Sequence, residues 1–374
     1  MAIYKLFPTQ DATLYSLYPT MNTGLDAILE VSNQFGLDGT PDVARYLIQF
    51  DNTEISDVIN NKISGKTFDV YLRNSIAEAQ GINTNTALEI RPTAQIWDNG
   101  TGYYLDSPVV TDGASWTFST YSGSSNWSMG GTIGGYSYTG SFASTYSTQG
   151  GGNWFVTSSF LITGSFGLRS NKDIELPVTN TVKAWYSSSI PNYGFLVKLS
   201  GSSEFNSNES IQPIFKYYSV DTNTIYPPTL EFRWRDYSTV LTGSASSSIV
   251  NTSNIKMSLA ENPGTFFPES VNRFYINVSP LYPVRTYQTS SAYTNLNYLP
   301  TSSYYAIKDL ATNEFVINFD DNYTQISSDT NGNYFTVYMS GLEPERYYKI
   351  LIKTIINGST LIFDDSYYFK VING

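Results

Sequence analysis

The chain has no cysteine and no histidine in 374 residues. The first absence excludes disulfides and thiolate nucleophiles. The two together exclude His-containing triads and nearly every transition-metal site. Only carboxylates, Lys, Tyr, Ser and Thr remain for catalysis. Charge is scarce too: 14% of residues are charged, against a usual ~25%, so the surface must be largely polar and uncharged. The balance of 21 basic against 32 acidic residues gives −11. The basic residues are dispersed, which argues against nucleic acid, because phosphates call for clustered Lys and Arg. No apolar run reaches the ~18–20 residues of a membrane-spanning helix. The stretch Met1-Ala2-Ile3-Tyr4-Lys5-Leu6 enters a strand pattern at once, without the charged and apolar segments or cleavage site of a signal peptide. The expectation is synthesis in the cytoplasm without export by the general route, and no membrane partner.

Tyr, Ser, Thr, Asn and Gly fill the space that charge leaves. Tyr alone accounts for 31 residues. Two readings stand side by side. Tyr suits interfaces, since it joins a large apolar face to a polar tip; Tyr and Thr are also favoured in strands.

Periodicity points to an all-β protein. Ile28 to Val31, Tyr46 to Phe50, Phe68 to Leu72, Ala87 to Pro92 and Ala94 to Trp97 have the β-branched and aromatic content of strands. Ile55, Val58, Ile59 and Ile63 sit at helical spacing and predict a short helix over Glu54 to Ile63. Residues 98–170 shift to Gly, Ser, Thr, Tyr and Trp and read as long loops decorating a sheet. Thr179 is a candidate N-cap for one helical turn carrying Val182 and Trp185. Pro191 to Gly194 makes a turn into the strand Phe195 to Leu199, and Thr229 to Trp234 closes the first domain. Ser238 to Ser248 has no period and reads as a linker. Strand alternation then resumes. Asn357-Gly358, between Tyr347–Lys353 and Thr360–Phe363, is a hairpin signal, because both central residues of a type I′ turn need positive φ. No exact internal repeat is present. The expected organisation is a domain over 1–237, a linker over 238–248 and a second domain over 249–374.

Two motif groups carry a resemblance. The first comprises Asp11-Ala12-Thr13, Asn22-Thr23-Gly24, and Arg45 and Leu47 in a strand ending Phe50-Asp51. It continues through a Trp-rich middle with Trp116, Trp127 and Gly151-Gly152-Asn153-Trp154. It ends with Val178-Thr179, Val182, Trp185 and Asn192-Tyr193-Gly194. In that order, over roughly residues 5–235, they resemble the DNRLRE-type domain of bacterial surface proteins and bacteriophage virions. A Gly/Ser/Tyr insertion between about 130 and 150 departs from the family. The resemblance implies a jelly-roll-like β-sandwich in a structural, adhesive or carbohydrate-contacting role, without catalytic residues. The second group is Leu342-Glu343-Pro344-Glu345-Arg346-Tyr347. It is similar to the corner preceding the sixth strand of immunoglobulin- or fibronectin-III-like sandwiches, where a Tyr hydroxyl bonds back to nearby backbone. Tyr347 or Tyr348 fits that role.

Candidate site residues follow. Asp11, Asn22, Gly24, Arg45, Asp51, Trp185, Asn192, Gly194 and Tyr347 are expected to be structural. Arg45, flanked by apolar residues, is expected to pair inside the fold with a carboxylate such as Asp11 or Asp51. Trp97, Tyr103, Tyr104, Trp116, Trp127, Tyr136 and Tyr138 are candidate interface or glycan contacts, with the stretch from about 100 to 155 as the contact region; for Trp97, Trp116, Trp127, Trp154 and Trp185 the favoured alternative is core and loop packing. Asp98 and Asp106 offer the two carboxyls that glycoside hydrolysis needs, as any chain with this many acids would by chance. Asp320-Asp321-Asn322 and Asp364-Asp365 read as solvated turns rather than Ca²⁺ ligands. Asp329 to Asn333 places its Gly wrongly for an EF-hand, and Asn331-Gly332 reads as a hairpin turn. The glycine runs at 130–131 and 150–152 lack the Lys-Ser/Thr of a phosphate loop. The expectation is a bacteriophage virion structural protein, not an enzyme, with no cofactor. It would assemble with itself or other virion proteins, in capsid decoration, neck, tail, baseplate or fibre. A bacterial surface adhesin or carbohydrate-binding module, contacting host-surface glycan, is the alternative.

Overall fold

The computed structural model describes residues 2–35, 39, 41–83, 86–121, 123–141, 150–206, 212–239, 248–282 and 296–373. Nearly all regular structure is strand, and almost every strand pair is antiparallel. The protein is all-β, as the alternation predicts. Two compact units divide it. The larger comprises Leu6–Ser64 and Asp69–Glu231, and the smaller Met1–Lys5, Gly65–Phe68 and Phe232–Gly374. The C-terminal division falls between Glu231 and Phe232. Of the predicted linker over 238–248, residues 240–247 lie outside the described residues.

The larger unit is organised by the strand Pro41–Gln49. Ala44 pairs with both Tyr15 and Ser32, and Leu47 with both Ala12 and Leu196. The strand therefore carries Gln10–Tyr15 on one side. On the other it carries Ile28–Phe35 and Phe195–Leu199 end to end. The curled sheet continues to Thr86–Pro92 and Ile162–Phe166 at one edge, and to Ile214–Tyr218 and Ile76–Gln80 at the other. Side chains alternate across it, so Val43, Arg45 and Leu47 share one face. There Ala12, Leu14, Val43, Leu47 and Leu196 pack with Trp97, Trp116, Trp127 and Trp154.

The predicted helix is present in two forms. An α-helical turn over Asn52–Asp57 runs into a π-helical turn over Val58–Ile63, burying Ile55, Val58, Ile59 and Ile63. Asp51 caps it: Thr53 and Glu54 N–H donate to its carboxylate at 2.6 and 2.9 Å. Asp51 is thus committed to a helix end and does not meet Arg45. The second helix, Thr179–Tyr186, is longer than the single turn expected. Thr179 does not cap it; its hydroxyl accepts from Val70 N–H at 2.8 Å instead. Trp185 is buried with its ring 4.6 Å from that of Phe195.

The smaller unit is a two-sheet sandwich. One sheet runs Ile255–Leu259, Val271–Pro280, Gly332–Tyr338, Ser327–Asp329. The other runs Thr265–Phe266, Ser359–Val371, Tyr347–Ile356, Ser303–Asp309, Phe315–Ile317. The unit's core includes a stack in which the Phe335 ring lies 5.3 Å from Phe274 and 4.4 Å from Tyr305. Asn357 and Gly358 both have positive φ, 51° and 79°, as the hairpin requires. In the other predicted hairpin Asp329 pairs with Gly332, so Thr330 and Asn331 form the turn and Gly332 begins the strand.

Tyr348, not Tyr347, makes the corner. Tyr348 is 2% exposed and its hydroxyl donates to the Glu343 carbonyl at 3.0 Å, whereas Tyr347 is 54% exposed. Beside it, Arg346 donates twice to Asp309, at 2.6 and 2.7 Å. Loss of one net hydrogen bond costs about 1 kcal/mol. Tyr348→Phe should lower stability by that amount in urea unfolding and Tyr347→Phe should not. Equal effects would remove the corner from Tyr348.

Candidate functional site

Two constellations in the larger unit gather the residues that the sequence singles out. The first surrounds Arg45, which is 0% exposed. Its Nε donates to Glu204 Oε1 at 2.7 Å and its Nη1 to the Gly151 carbonyl at 2.7 Å. The guanidinium lies 5.1 and 5.2 Å from the rings of Trp116 and Trp154. Lys198 reaches the other Glu204 oxygen at 3.2 Å and Glu89 at 3.4 Å, and Arg91 reaches Glu89 at 3.2 Å. Burial alone would raise the Glu89 carboxyl; Lys198 and Arg91 outweigh it and hold it below the usual range. Arg45 is inside the fold, as expected, but Glu204 is its partner, not Asp11 or Asp51. Glu204 sits in a polar stretch that reads as loop. Lys198, a cation inside the apolar strand Phe195–Leu199, was the available signal that a buried charge network passes here.

The triple glycine serves this network. Gly150, Gly151 and Gly152 all have positive φ. A Cβ on Gly151 would run into the Trp116 ring and the Arg45 guanidinium. Gly151 N–H donates to the Trp116 carbonyl at 2.6 Å, so backbone is threaded between the two side chains. Within it Arg45, Lys198 and Glu204 are buried, while Glu89 and Arg91 reach the surface in part.

The second constellation is built on Asn22. Its Nδ2 donates to the Asn99 and Ala114 carbonyls at 2.7 and 2.9 Å. Its Oδ1 accepts from Gly24 and Gly102 N–H at 3.1 and 2.9 Å. A Cβ on Gly24 would collide with the Asn99 carbonyl. Asn192-Tyr193-Gly194 repeats the device. Asn192 Oδ1 accepts from Gly194 N–H at 3.1 Å, and its Nδ2 donates to the Phe50 carbonyl at 2.9 Å. A Cβ on Gly194 would collide with the Ile48 carbonyl. In each case an Asn, buried at 22 and half-buried at 192, joins a turn to a distant carbonyl, and Gly permits the approach.

What Asn22 holds is the loop over residues 99–114. Carboxylates wire it further. Thr101 donates twice to Asp112, at 2.9 and 2.6 Å. Tyr103 N–H donates to Asp106 at 2.8 Å and Tyr104 N–H to Asp26 at 3.0 Å. The loop presents Tyr103, Tyr104, Leu105 and Val109 to solvent, with Leu17 exposed alongside Tyr18. The Tyr104 ring lies 4.8 Å from Tyr15 and 6.1 Å from Tyr18. Leu105 is 54% exposed and has a φ of +59°. A left-handed conformation costs a non-glycine residue about 1–2 kcal/mol, and more than half of the Leu105 surface stays in solvent.

The remaining candidates fare differently. Trp97, Trp116 and Trp127 are buried in the sheet's core and cannot contact a partner or a sugar. Tyr136 and Tyr138 are half-buried. Tyr136 packs 5.2 Å from Phe160, and the Tyr138 hydroxyl bonds Ser128 at 3.0 Å. The stretch that reads as loops contains a three-stranded sheet, Gly130–Ile133, Tyr136–Ser141 and Gly150–Phe155, whose last strand is wholly buried. Alternation was masked there by Gly and Ser. Asp98 is exposed, and Asp106 is spent on the loop's own backbone. A shallow groove of about 340 Å³ near Leu161, Pro177 and Asn180 has no acid or base in its lining. In the smaller unit Asp320 accepts from Asn322 and Tyr323 N–H at 2.7 and 2.9 Å, and Asp364 pairs with Lys349. Among the described residues no three acidic side chains are placed to share a metal ion.

Asp11 is the residue whose role burial brings out. Val220 N–H donates to its Oδ2 at 2.8 Å, while Oδ1 is buried without a partner. Burial pushes its pKa up to about 8, the Val220 bond pulls it down, and Asp221 and Asp26 add to the rise. It is a carboxylic acid at neutral pH, not a counterion.

Compared with known proteins, the chain matches no family model and no curated relative.

Proposed function

We propose that the chain is a structural protein of a bacteriophage virion that acts by protein–protein contact. The carrying observation is the loop over 99–114. It is fastened by Asn22, Asp26, Asp106 and Asp112, and it holds Tyr103, Tyr104, Leu105 and Val109 outward. A contact element fixed before binding loses little conformational entropy on docking, and Tyr adds large area through few rotors. Chemistry, in contrast, would need reactive groups converging in a cleft. Among the described residues, the buried charges of the larger unit's Arg45 network are paired with one another, and the groove at Leu161 and Pro177 has no titratable group in its lining.

The test is proteomic. Peptides of this chain should occur at a fixed copy number in purified virions of the source phage. Their absence from particles, together with specific binding on a glycan array, would transfer the protein to the adhesin or carbohydrate-binding class.

A further inference from the structure

Resting on the contact reading above, we propose that the corner formed by the loop residues Tyr103, Tyr104, Leu105 and Val109 docks a cationic protein surface in which Lys or Arg residues surround an apolar anchor. The first support is charge. No Lys or Arg occurs between Lys5 and Arg45, or between Arg91 and Arg169. The corner lies in the second of these cation-free segments and sets its Tyr104 ring beside Tyr15 and Tyr18 of the first, and the two segments bring Asp26, Glu30, Asp42, Asp106 and Asp112 with them. Partial burial, then Tyr18, Glu30, Asp26 and Asp42, raise the Tyr104 hydroxyl, so the local field is negative at an exposed ring.

The second support is what the loop has left to offer. Several of its backbone N–H groups are spent internally. Asn22 makes four bonds, and Asp26, Asp106 and Asp112 each accept loop N–H groups. A sugar needs free donors and acceptors to fix its hydroxyls. What remains outward is the rings and hydroxyls of Tyr103 and Tyr104 beside the apolar side chains of Leu105 and Val109, in a negative field. That combination repels phosphate, anionic lipid and acidic glycan, and favours an apolar anchor ringed by cations. The positive φ of Leu105 fits, because the leucine there carries a backbone cost while more than half of its surface stays in solvent.

The probe is a labelled peptide of alternating Lys and Leu, titrated against the full chain at low and physiological salt. Binding should weaken with salt. Leu105→Lys should reduce affinity at least tenfold. Leu168→Lys changes net charge equally at an exposed leucine elsewhere in the larger unit and should have little effect. Leu105→Gly relieves the backbone cost, so it should melt no lower than the parent yet bind more weakly. Equal weakening by the two lysine variants, or none, overturns the proposal. A neutral glycan that binds the parent and is lost in Leu105→Lys overturns it in favour of sugar. Incorporation of Leu105→Lys into virions at parental copy number sinks this partner while leaving the virion reading standing. A parent absent from virions sinks that reading, and the peptide comparison still judges the corner.

Discussion

Arg45→Ala should destabilise the larger unit by about 3–5 kcal/mol, the cost of leaving a buried charge without its partner. The substitution removes the Glu204 pair and the donor to Gly151, and it empties the space between Trp116 and Trp154. Lys198 stays beside Glu204 at 3.2 Å and limits the loss without replacing the second bond. Trp97, Trp116, Trp127, Trp154 and Trp185 belong to the larger unit and only Trp234 to the smaller. Tryptophan fluorescence in urea therefore reports the unit that carries the change. The double variant Arg45→Met/Glu204→Leu should recover most of the stability, since apolar replacement of a whole buried pair is often neutral. Lys198 would keep Glu89 at 3.4 Å. A single variant within 1 kcal/mol of the parent would mean that the network adds little.

That Arg45 lies inside the fold is legible, because it stands between Val43 and Leu47 on the same face of an apolar strand. Its partner is not, because Glu204 comes from a Ser/Glu/Asn stretch with no period, 159 residues away. Period-two alternation likewise cannot choose between neighbours. It finds the hairpin at Asn357-Gly358, where turn chemistry fixes the register. It leaves Tyr347 and Tyr348 equivalent until burial separates them. Tryptophan is a different case: the sequence leaves Trp97, Trp116 and Trp127 open between core packing and contact, and the curled sheet takes all three inward. The two Asn-x-Gly turns are visible as turns. Their function as staples to backbone at Asn99 and Phe50 depends on contacts that only the folded chain supplies.

Stability of the larger unit should fall as pH rises from about 4 to 8, and Asp11→Asn should abolish most of that fall. In the unfolded chain Asp11 releases its proton near the ordinary 3.8, whereas in the folded chain it keeps it to about 8. Between those values the folded state binds one proton more than the unfolded state. Each pH unit then removes about 1.4 kcal/mol, on the order of 5 kcal/mol across the window. The contribution is fully present below 3.8, declines as pH rises and is gone above 8. Glu89 acts in the opposite sense. Its carboxyl is held below the usual range, so its stabilisation is present above its unfolded pKa and is lost as pH falls. In Asp11→Asn the amide oxygen can still accept from Val220, and the uncharged NH2 replaces an oxygen that has no partner. Asp221 and Asp26 then face a neutral group at every pH. Urea unfolding followed by tryptophan fluorescence at pH 5 and pH 8.5 checks this. The parent should lose several kcal/mol between the two, while the variant should change little and exceed the parent at pH 8.5. Parallel pH profiles for parent and variant would show that Asp11 is ionised in the folded chain and that some other contact neutralises it.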